Sequence, residues 1–421
     1  MKKMLATVLA VALAAVTFGA CGGGQAASTT AAPAAQETTA APAAPAATEA
    51  PAATQAPSTT AAPAPAQAAE TTAAPAAAGP GLKIVIVSSP SGVDDGSFNE
   101  NNYDGILNFI KNHSPNSTVV AIREEDQNNA VPAVEAVVAD YDVVVAPGFQ
   151  FAGISQAASD NPDKYFILID SFPDAVDGND VFDNIYAIQF AEQESGFFAG
   201  IAAASETKTN KVAVVNGIAY PSNVNYQYGF MSGVNYANEK FGTTAQIVEL
   251  PSYAGTDVTG VNVGGNYIGD FSDEAKGKEV GKALLDEGVD ILFVAAGGSG
   301  NGVFAAVKEH GSSMVIGCDV DQYNDGMNGS SNIVLTSALK VMDINVERAL
   351  VEIEEGTFAG GNFVLYADTD STGIVLEPGR QQLQAETITR LEDAFEAVKE
   401  GTIVPAANFN GYLPDDFPGL R

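Results

Sequence analysis

The chain of 421 residues carries 19 Lys and Arg against 52 Asp and Glu, a formal net charge of −33 at pH 7. That balance argues against nucleic acid as a partner, because phosphate binding needs a basic surface that releases counterions, and it disfavours docking on anionic lipid for the same reason. Only Lys2, Lys3, Glu37, Glu49 and Glu70 fall in residues 1–80, which leaves 17 basic and 49 acidic side chains, a net of −32, to a stretch long enough for a large core or two lobes.

Met1-Lys2-Lys3 followed by the apolar and small residues 4–20 has the pattern of a secretory signal peptide, with small residues before a cleavage point. Phe18-Gly19-Ala20-Cys21 resembles a bacterial lipobox, which makes Cys21 the expected site of acylation and of a lipid anchor to the membrane, with Phe18 where Leu is usual. Residues 22–80 are low-complexity Ala, Pro and Thr broken by nine prolines, so 21–80 reads as a disordered tether headed by the lipidated cysteine. Cys318, the second cysteine, lies in a wholly different context, and no disulfide framework is expected.

From residue 81 to 421 the texture is that of a substrate-binding domain built from alternating strands and helices. KIVIVSS (83–89), STVVAIRE, YDVVVAPG and KYFILID are apolar strand runs with helical stretches such as NENNYDGILNFIKNH between them. A second series, KVAVVNG, AQIVELP, DILFVAAGG, MVIGCDV and NIVLTSA, begins near Lys211 after the helical connector SGFFAGIAAASE. Continuous apolar strands alternating with helices indicate parallel sheets buried on both faces. The expectation is an α/β protein of two Rossmann-like lobes, of about five strands each, with a ligand cleft between them. Lobe 1 spans about 83–194 plus a returning segment of about 323–365, and lobe 2 spans about 195–322 plus a C-terminal part.

In open α/β sheets ligands sit beyond the carboxyl ends of the strands. There the first loop, SSPSGVDDGSFN, leads straight into a helix that Ser97 or Asn99 is placed to cap, with Phe98 at the cleft or tucked into the core. Phe271, in the loop YIGDFSD, would face it from the other lobe. The glycines of AAGGSGNG (295–302) either let backbone N–H groups approach an oxygen-rich ligand or form a tight turn without one. Asp319 and Lys340, at the ends of two later strands, suit vicinal hydroxyls or a structural ion pair. Asp319, Asp321 and Asp325 match a calcium loop only superficially, because Tyr323 stands where an acid is required, and no metal or cofactor is expected. Neither His113 nor His310 lies in a cleft loop, and CxxC, HExxH and GxSxG are missing from the sequence, so catalysis has little support.

Taken in order, DDGSFN (94–99), Gly148-Phe149, FILID (166–170), EQESGFFAG (192–200), YIGDFSDEAKGKE (267–279), AAGGSGNGVF (295–304), IGCDVDQ (316–322) and TSALKVMD (336–343) resemble the basic membrane protein family of ABC-transporter substrate-binding lipoproteins, similar to purine nucleoside receptors. The resemblance covers nearly all of residues 83–375. It implies the type I periplasmic-binding-protein fold, permease and ATPase subunits as partners, and a lipid-anchored place on the outer face of the cell membrane. It further implies that Phe98 and Phe271 sandwich a base, that Asp319 and Lys340 with Gly297 and Gly298 hold a ribose, and that Asn99 and Asp170 complete the pocket. Ser89 stands where the family's nucleoside binders commonly carry an Asp that reads the base edge, which leaves another nucleoside or a different flat metabolite open. A receptor that presents ligand to a signalling partner would share these residues, and an extracellular nucleoside hydrolase is the enzyme alternative.

Overall fold

The computed structural model describes residues 80–408 and 410–421; the expected leader, Cys21 and the tether to residue 79 lie outside them. In the first lobe β1 (Lys83–Ser88), α1 (Phe98–Asn112), β2 (Thr118–Arg123), α2 (Ala130–Val137), β3 (Val143–Pro147), α3 (Ser155–Asp160), β4 (Tyr165–Ile169) and β5 (Ile185–Phe190) follow one another. Helix α4 (Glu192–Glu206) crosses to the second lobe, which continues through β6 (Lys211–Asn216), α5 (Pro221–Phe241), β7 (Gln246–Ile247), the ribbon β8 (Gly255–Thr256) and β9 (Asn262–Gly264), and α6 (Glu274–Asp286). It goes on through β10 (Ile291–Ala295), α7 (Gly297–His310), β11 (Met314–Gly317), the ribbon β12 (Met327–Asn328) and β13 (Ser331–Asn332), and β14 (Val334–Lys340). The chain then returns to the first lobe for α8 (Met342–Glu355) and β15 (Gly361–Leu365), and ends in the second with β16 (Thr372–Ile374) and α9 (Ala385–Lys399).

Each lobe is a six-stranded sheet, in the order β15-β5-β4-β3-β1-β2 and β16-β14-β11-β10-β6-β7. The first is parallel throughout and the second has one antiparallel edge, β16 on β14. The sixth strands arise because β5 joins the first series and the edges are supplied late in the chain. The return to lobe 1 starts only after Lys340, not near 323, because β14 pairs with β11 inside the second sheet.

The apolar strand runs are buried on both faces, as a parallel sheet requires. Ile84 and Ile86 face α1 and α8, whereas Val85 and Val87 face α2 and α3. In lobe 2, Val212, Val214 and Phe293 pack on α4, α5 and α9, and Ala213, Val215 and Leu292 on α6 and α7. Each of the Val, Ile, Leu and Phe side chains contributes about 1.5–3 kcal/mol when buried. Glycines set how closely α4 and α5 cross. A Cβ on Gly233 would stand 2.0 Å from the Phe197 carbonyl oxygen, and one on Gly200 2.2 Å from that of Phe230. Three crossovers link the lobes: β5 to α4, β14 to α8, and β15 to β16.

Candidate functional site

A cavity lies between the carboxyl ends of the two sheets. Its walls come from the loops after β1, β3 and β4 on one side, and after β6, β9, β10 and β11 on the other, with Lys340 at the β14 crossover. Hydrogen bonds join the lobes around it. Ser91 Oγ donates to the Phe271 carbonyl (2.8 Å), Ser97 Oγ to Asp319 Oδ2 (3.2 Å), Gln322 Nε2 to the Gly96 carbonyl (3.2 Å), and the Tyr220 hydroxyl to Gln127 Oε1 (2.7 Å).

Phe98, Asn99, Asp170, Phe271, Gly297, Asp319 and Lys340 all line this cavity. Gly298 does not: it stands behind the wall, where a Cβ would meet the Phe271 carbonyl oxygen at 3.1 Å and Ser91 Oγ at 3.5 Å. The glycine loop thus serves close packing against Phe271, whose carbonyl also accepts the Ser299 N–H at 2.8 Å.

The first loop departs from the expected capping. Ser97 spends its hydroxyl on the opposite lobe, and Asp95 is the residue that caps α1. Asp95 Oδ1 accepts the N–H groups of Ser97 and Glu100 at 3.0 and 3.1 Å, and Oδ2 accepts those of Asn99, backbone at 3.1 Å and side chain at 2.8 Å. A carboxylate at a helix amino terminus satisfies orphan donors and meets the positive end of the dipole. Phe98 begins α1 with its ring toward the cavity, 5.0 Å from Lys340 Nζ.

Across the cleft, Phe271 lies on the backbone of Gly217. A Cβ there would stand 2.1 Å from Phe271 Cε1, so the ring can rest on this strand end only because the residue is glycine. Phe271, Tyr220 and Phe149 form a run of rings with centroid separations of 5.9 and 5.3 Å.

The polar end is a buried charge cluster. Lys340, 2% exposed, places Nζ 2.6 Å from Asp170, 3.5 Å from Glu192 and 3.9 Å from Asp319. Its first partner is therefore Asp170 rather than Asp319, which accepts the Tyr226 hydroxyl at 2.9 Å. Burial pulls the Lys340 pKa down, but the carboxylates around it outweigh burial and leave the ammonium charged. The excess of acid is relieved at Glu192, which burial pushes up to about 7 against the pull of Lys340. Asp170 is likewise raised by burial, against the same ammonium, and its Oδ1 is buried without a hydrogen-bond partner. Asp170 and Asp319 both adopt left-handed backbone, φ 62° and 69°, a costly conformation for non-glycine residues that clusters where side chains must be aimed. Cys318 is a small buried residue whose thiol burial holds well above its ordinary pKa.

Glu192, Tyr226, Tyr220 and Asp95 were not singled out from the sequence as site residues. Tyr220 lies in a strand-end loop and was accessible by that rule; Tyr226 sits inside α5, and Glu192 opens what reads locally as a connector.

A family model described as ABC transporter substrate-binding protein PnrA-like matches residues 82–251 and 258–407. The chain is 29% identical over 340 residues to the CD4+ T-cell-stimulating antigen of Listeria monocytogenes serovar 1/2a, covering 76% of this chain and 87% of that protein. It is 29% identical over 305 residues to the ABC transporter nucleoside-binding protein BmpA of Lactococcus lactis subsp. cremoris, covering 68% and 78%. It is 25% identical over 327 residues to basic membrane protein A of Borreliella burgdorferi, covering 76% and 86%. Among solved structures, an ABC transporter solute-binding protein of Aeropyrum pernix K1 superposes with a TM-score of 0.65 at 21% identity, over 78% of this chain and 94% of that one. Another from Conexibacter woesei gives 0.56 at 20%, over 77% and 99%. These likenesses go with the type I periplasmic-binding-protein fold described above.

Proposed function

The chain belongs to the Bmp family of PnrA-like ABC transporter substrate-binding proteins, and from that premise we propose that it is a receptor on the outer face of the cell membrane, anchored through an acylated Cys21, which closes on a neutral nucleoside and passes it to an ABC permease and its ATPase. One observation carries the choice of ligand. A single interlobe cavity sets aromatic rings, Phe98 and Phe271 among them, beside a buried polar end made of Asp170, Asp319 and Lys340. Stacking of a flat ring on such side chains is worth about 1–3 kcal/mol per base. The carboxylates accept sugar hydroxyls and the ammonium donates to them. Gly297 keeps the wall low enough for the sugar to approach, and Asn99 meets the ring edge.

The same cluster disfavours a phosphorylated ligand. Among the described residues lining the cavity Lys340 is the only basic one, and three carboxylates already surround it. The nucleoside-binding relative from L. lactis supports the same class of ligand. Anchoring at Cys21 rests on the lipobox-like Phe18-Gly19-Ala20-Cys21, since acyl chains add about 0.8 kcal/mol of membrane affinity per buried CH₂. The test is to denature the purified protein and identify the released small molecule by mass spectrometry. A nucleoside is the expected result; a nucleotide or an open-chain metabolite would overturn the ligand assignment.

A further inference from the structure

The loop that leads from β1 into α1 meets the loop after β11 across the cleft. Neither Gln322 nor Ser97 is among the described residues that line the cavity, yet each bonds to the opposite lobe, Gln322 Nε2 to the Gly96 carbonyl and Ser97 Oγ to Asp319 Oδ2, both at 3.2 Å. Gln322 is 6% exposed and its amide is tightly held. Its Oε1 accepts the Cys318 N–H at 3.0 Å, and its own backbone N–H donates to Ser337 Oγ at 3.1 Å. A backbone N–H only donates and a carbonyl only accepts, so the amide has one orientation, Oε1 on Cys318 and Nε2 on Gly96. Gly317 leaves room for this fold-back: a Cβ there would stand 3.0 Å from Gln322 Oε1 and 2.6 Å from Ser337 Oγ. The same loop is pinned next door by Arg380, whose Nε lies 2.5 Å from Asp321 Oδ2 and whose Cζ stands 5.1 Å from the Tyr323 ring centroid.

The acceptor is held as firmly. Gly96 adopts φ 70°, its N–H donates to Glu100 Oε2 at 2.9 Å, and the preceding Asp95 caps α1. These supports lie wholly within their own lobes, so donor and acceptor are both preset for the bond between them, and little side-chain entropy is lost in making it. The bond joins protein to protein. Its contribution to closure is therefore the same whichever ligand the cleft holds.

Resting on the nucleoside-receptor reading, we propose that Gln322 is a positioning residue, an interlobe latch that favours the closed cleft through the Gly96 carbonyl and so scales the affinity for every ligand alike. Apparent affinity is proportional to the fraction of receptor in the binding-competent form, and a bond made only in that form raises the fraction. Ser97 is the neighbouring half of the contact, but it ends on Asp319, which lines the cavity; Gln322 acts without touching a cavity residue's side chain in the opposite lobe.

Titration calorimetry of the full chain with inosine and with adenosine, on the wild type, Gln322→Ala and Gln322→Glu, is paired with hydrogen exchange of the same proteins without nucleoside. Gln322→Glu keeps one oxygen for the Cys318 N–H and sets the other against the Gly96 carbonyl, so it breaks the cross-lobe bond alone. Both variants should weaken inosine and adenosine by a common factor, about three- to tenfold for Gln322→Ala, the worth of one neutral hydrogen bond, and more for Gln322→Glu. In the free proteins the amides of residues 97–101, in the lobe that carries no substitution, should exchange faster while those of β3 and β10 keep their protection. Unchanged affinity, a factor that differs between the two nucleosides, or unmoved exchange at 97–101 would overturn the latch and leave the nucleoside reading intact. Failure of the wild type to bind either nucleoside would overturn that reading, and exchange at 97–101 then decides the latch by itself.

Discussion

Replacing Lys340 with Met keeps most of the apolar stem and removes the ammonium from among Asp170, Glu192 and Asp319, which lie at 2.6, 3.5 and 3.9 Å. All four side chains are buried, so solvent does little to screen the acids left behind. Deleting one partner of a buried ion pair costs about 3–5 kcal/mol, chiefly because the other charge is stranded. Here the stranded acids have a way out, which gives the effect a pH signature. Lys340 holds Glu192 and Asp170 down against burial. Without it their folded-state pKa values climb further above the unfolded ones. An acid raised in this way contributes stability that is fully present below its unfolded pKa and is lost as pH rises through the folded value. Lys340→Met should therefore be strongly destabilising at pH 8 and much less so at pH 5, and adding Asp170→Asn should restore part of the loss. Urea unfolding at both pH values, with unchanged m-values, measures this directly. A destabilisation under about 1 kcal/mol at pH 8, or one equal at the two pH values, would refute the reasoning.

Two further substitutions probe the scaffold. Gly233→Ala puts a methyl 2.0 Å from the Phe197 carbonyl oxygen and should cost about 1–3 kcal/mol by forcing α4 and α5 apart; a melting temperature within a degree of wild type would show that the crossing is not set by this glycine. Glu194 accepts the Ala367 N–H and the Thr372 hydroxyl at 2.8 and 2.7 Å, tying α4 to the last crossover, and burial lifts its pKa from 4.5 to about 7. The wild type should lose up to roughly 3 kcal/mol relative to Glu194→Gln between pH 5 and pH 8, and parallel stability curves for the two proteins would contradict this.

The fold was legible where buried strands announce themselves as apolar runs, as in KIVIV and YDVVVAP, and the strand-end rule then pointed to the loops that line the cavity. Strand β5, IYAIQF, is such a run too, but it follows β4 after a long polar loop without a helix, which broke the alternation. The return to lobe 1 at Lys340 was misplaced because nothing local distinguishes β14, which stays in the second sheet, from a strand that leaves it. The local phrase DDGSFN offered Ser97 and Asn99 as caps, but Asp95 takes that place while the facing lobe claims Ser97 through Asp319. Lys340 stood out in an acidic chain, yet its partners come from residues 170 and 192 as well as 319, separations that no sequence window spans. Tyr226 was hidden for a similar reason, since only the folded chain brings its hydroxyl to Asp319.

Calorimetry of the purified full chain with a purine nucleoside and with its 5′-monophosphate, on the wild type and on Phe98→Ala, tests the central claim most directly. One binding site for the nucleoside, little or no binding of the monophosphate, and a loss of about 5- to 150-fold in affinity on removing the Phe98 ring are expected, the last matching one stacking contact of about 1–3 kcal/mol. No heat with any nucleoside, or equal affinity for the wild type and Phe98→Ala, would contradict it.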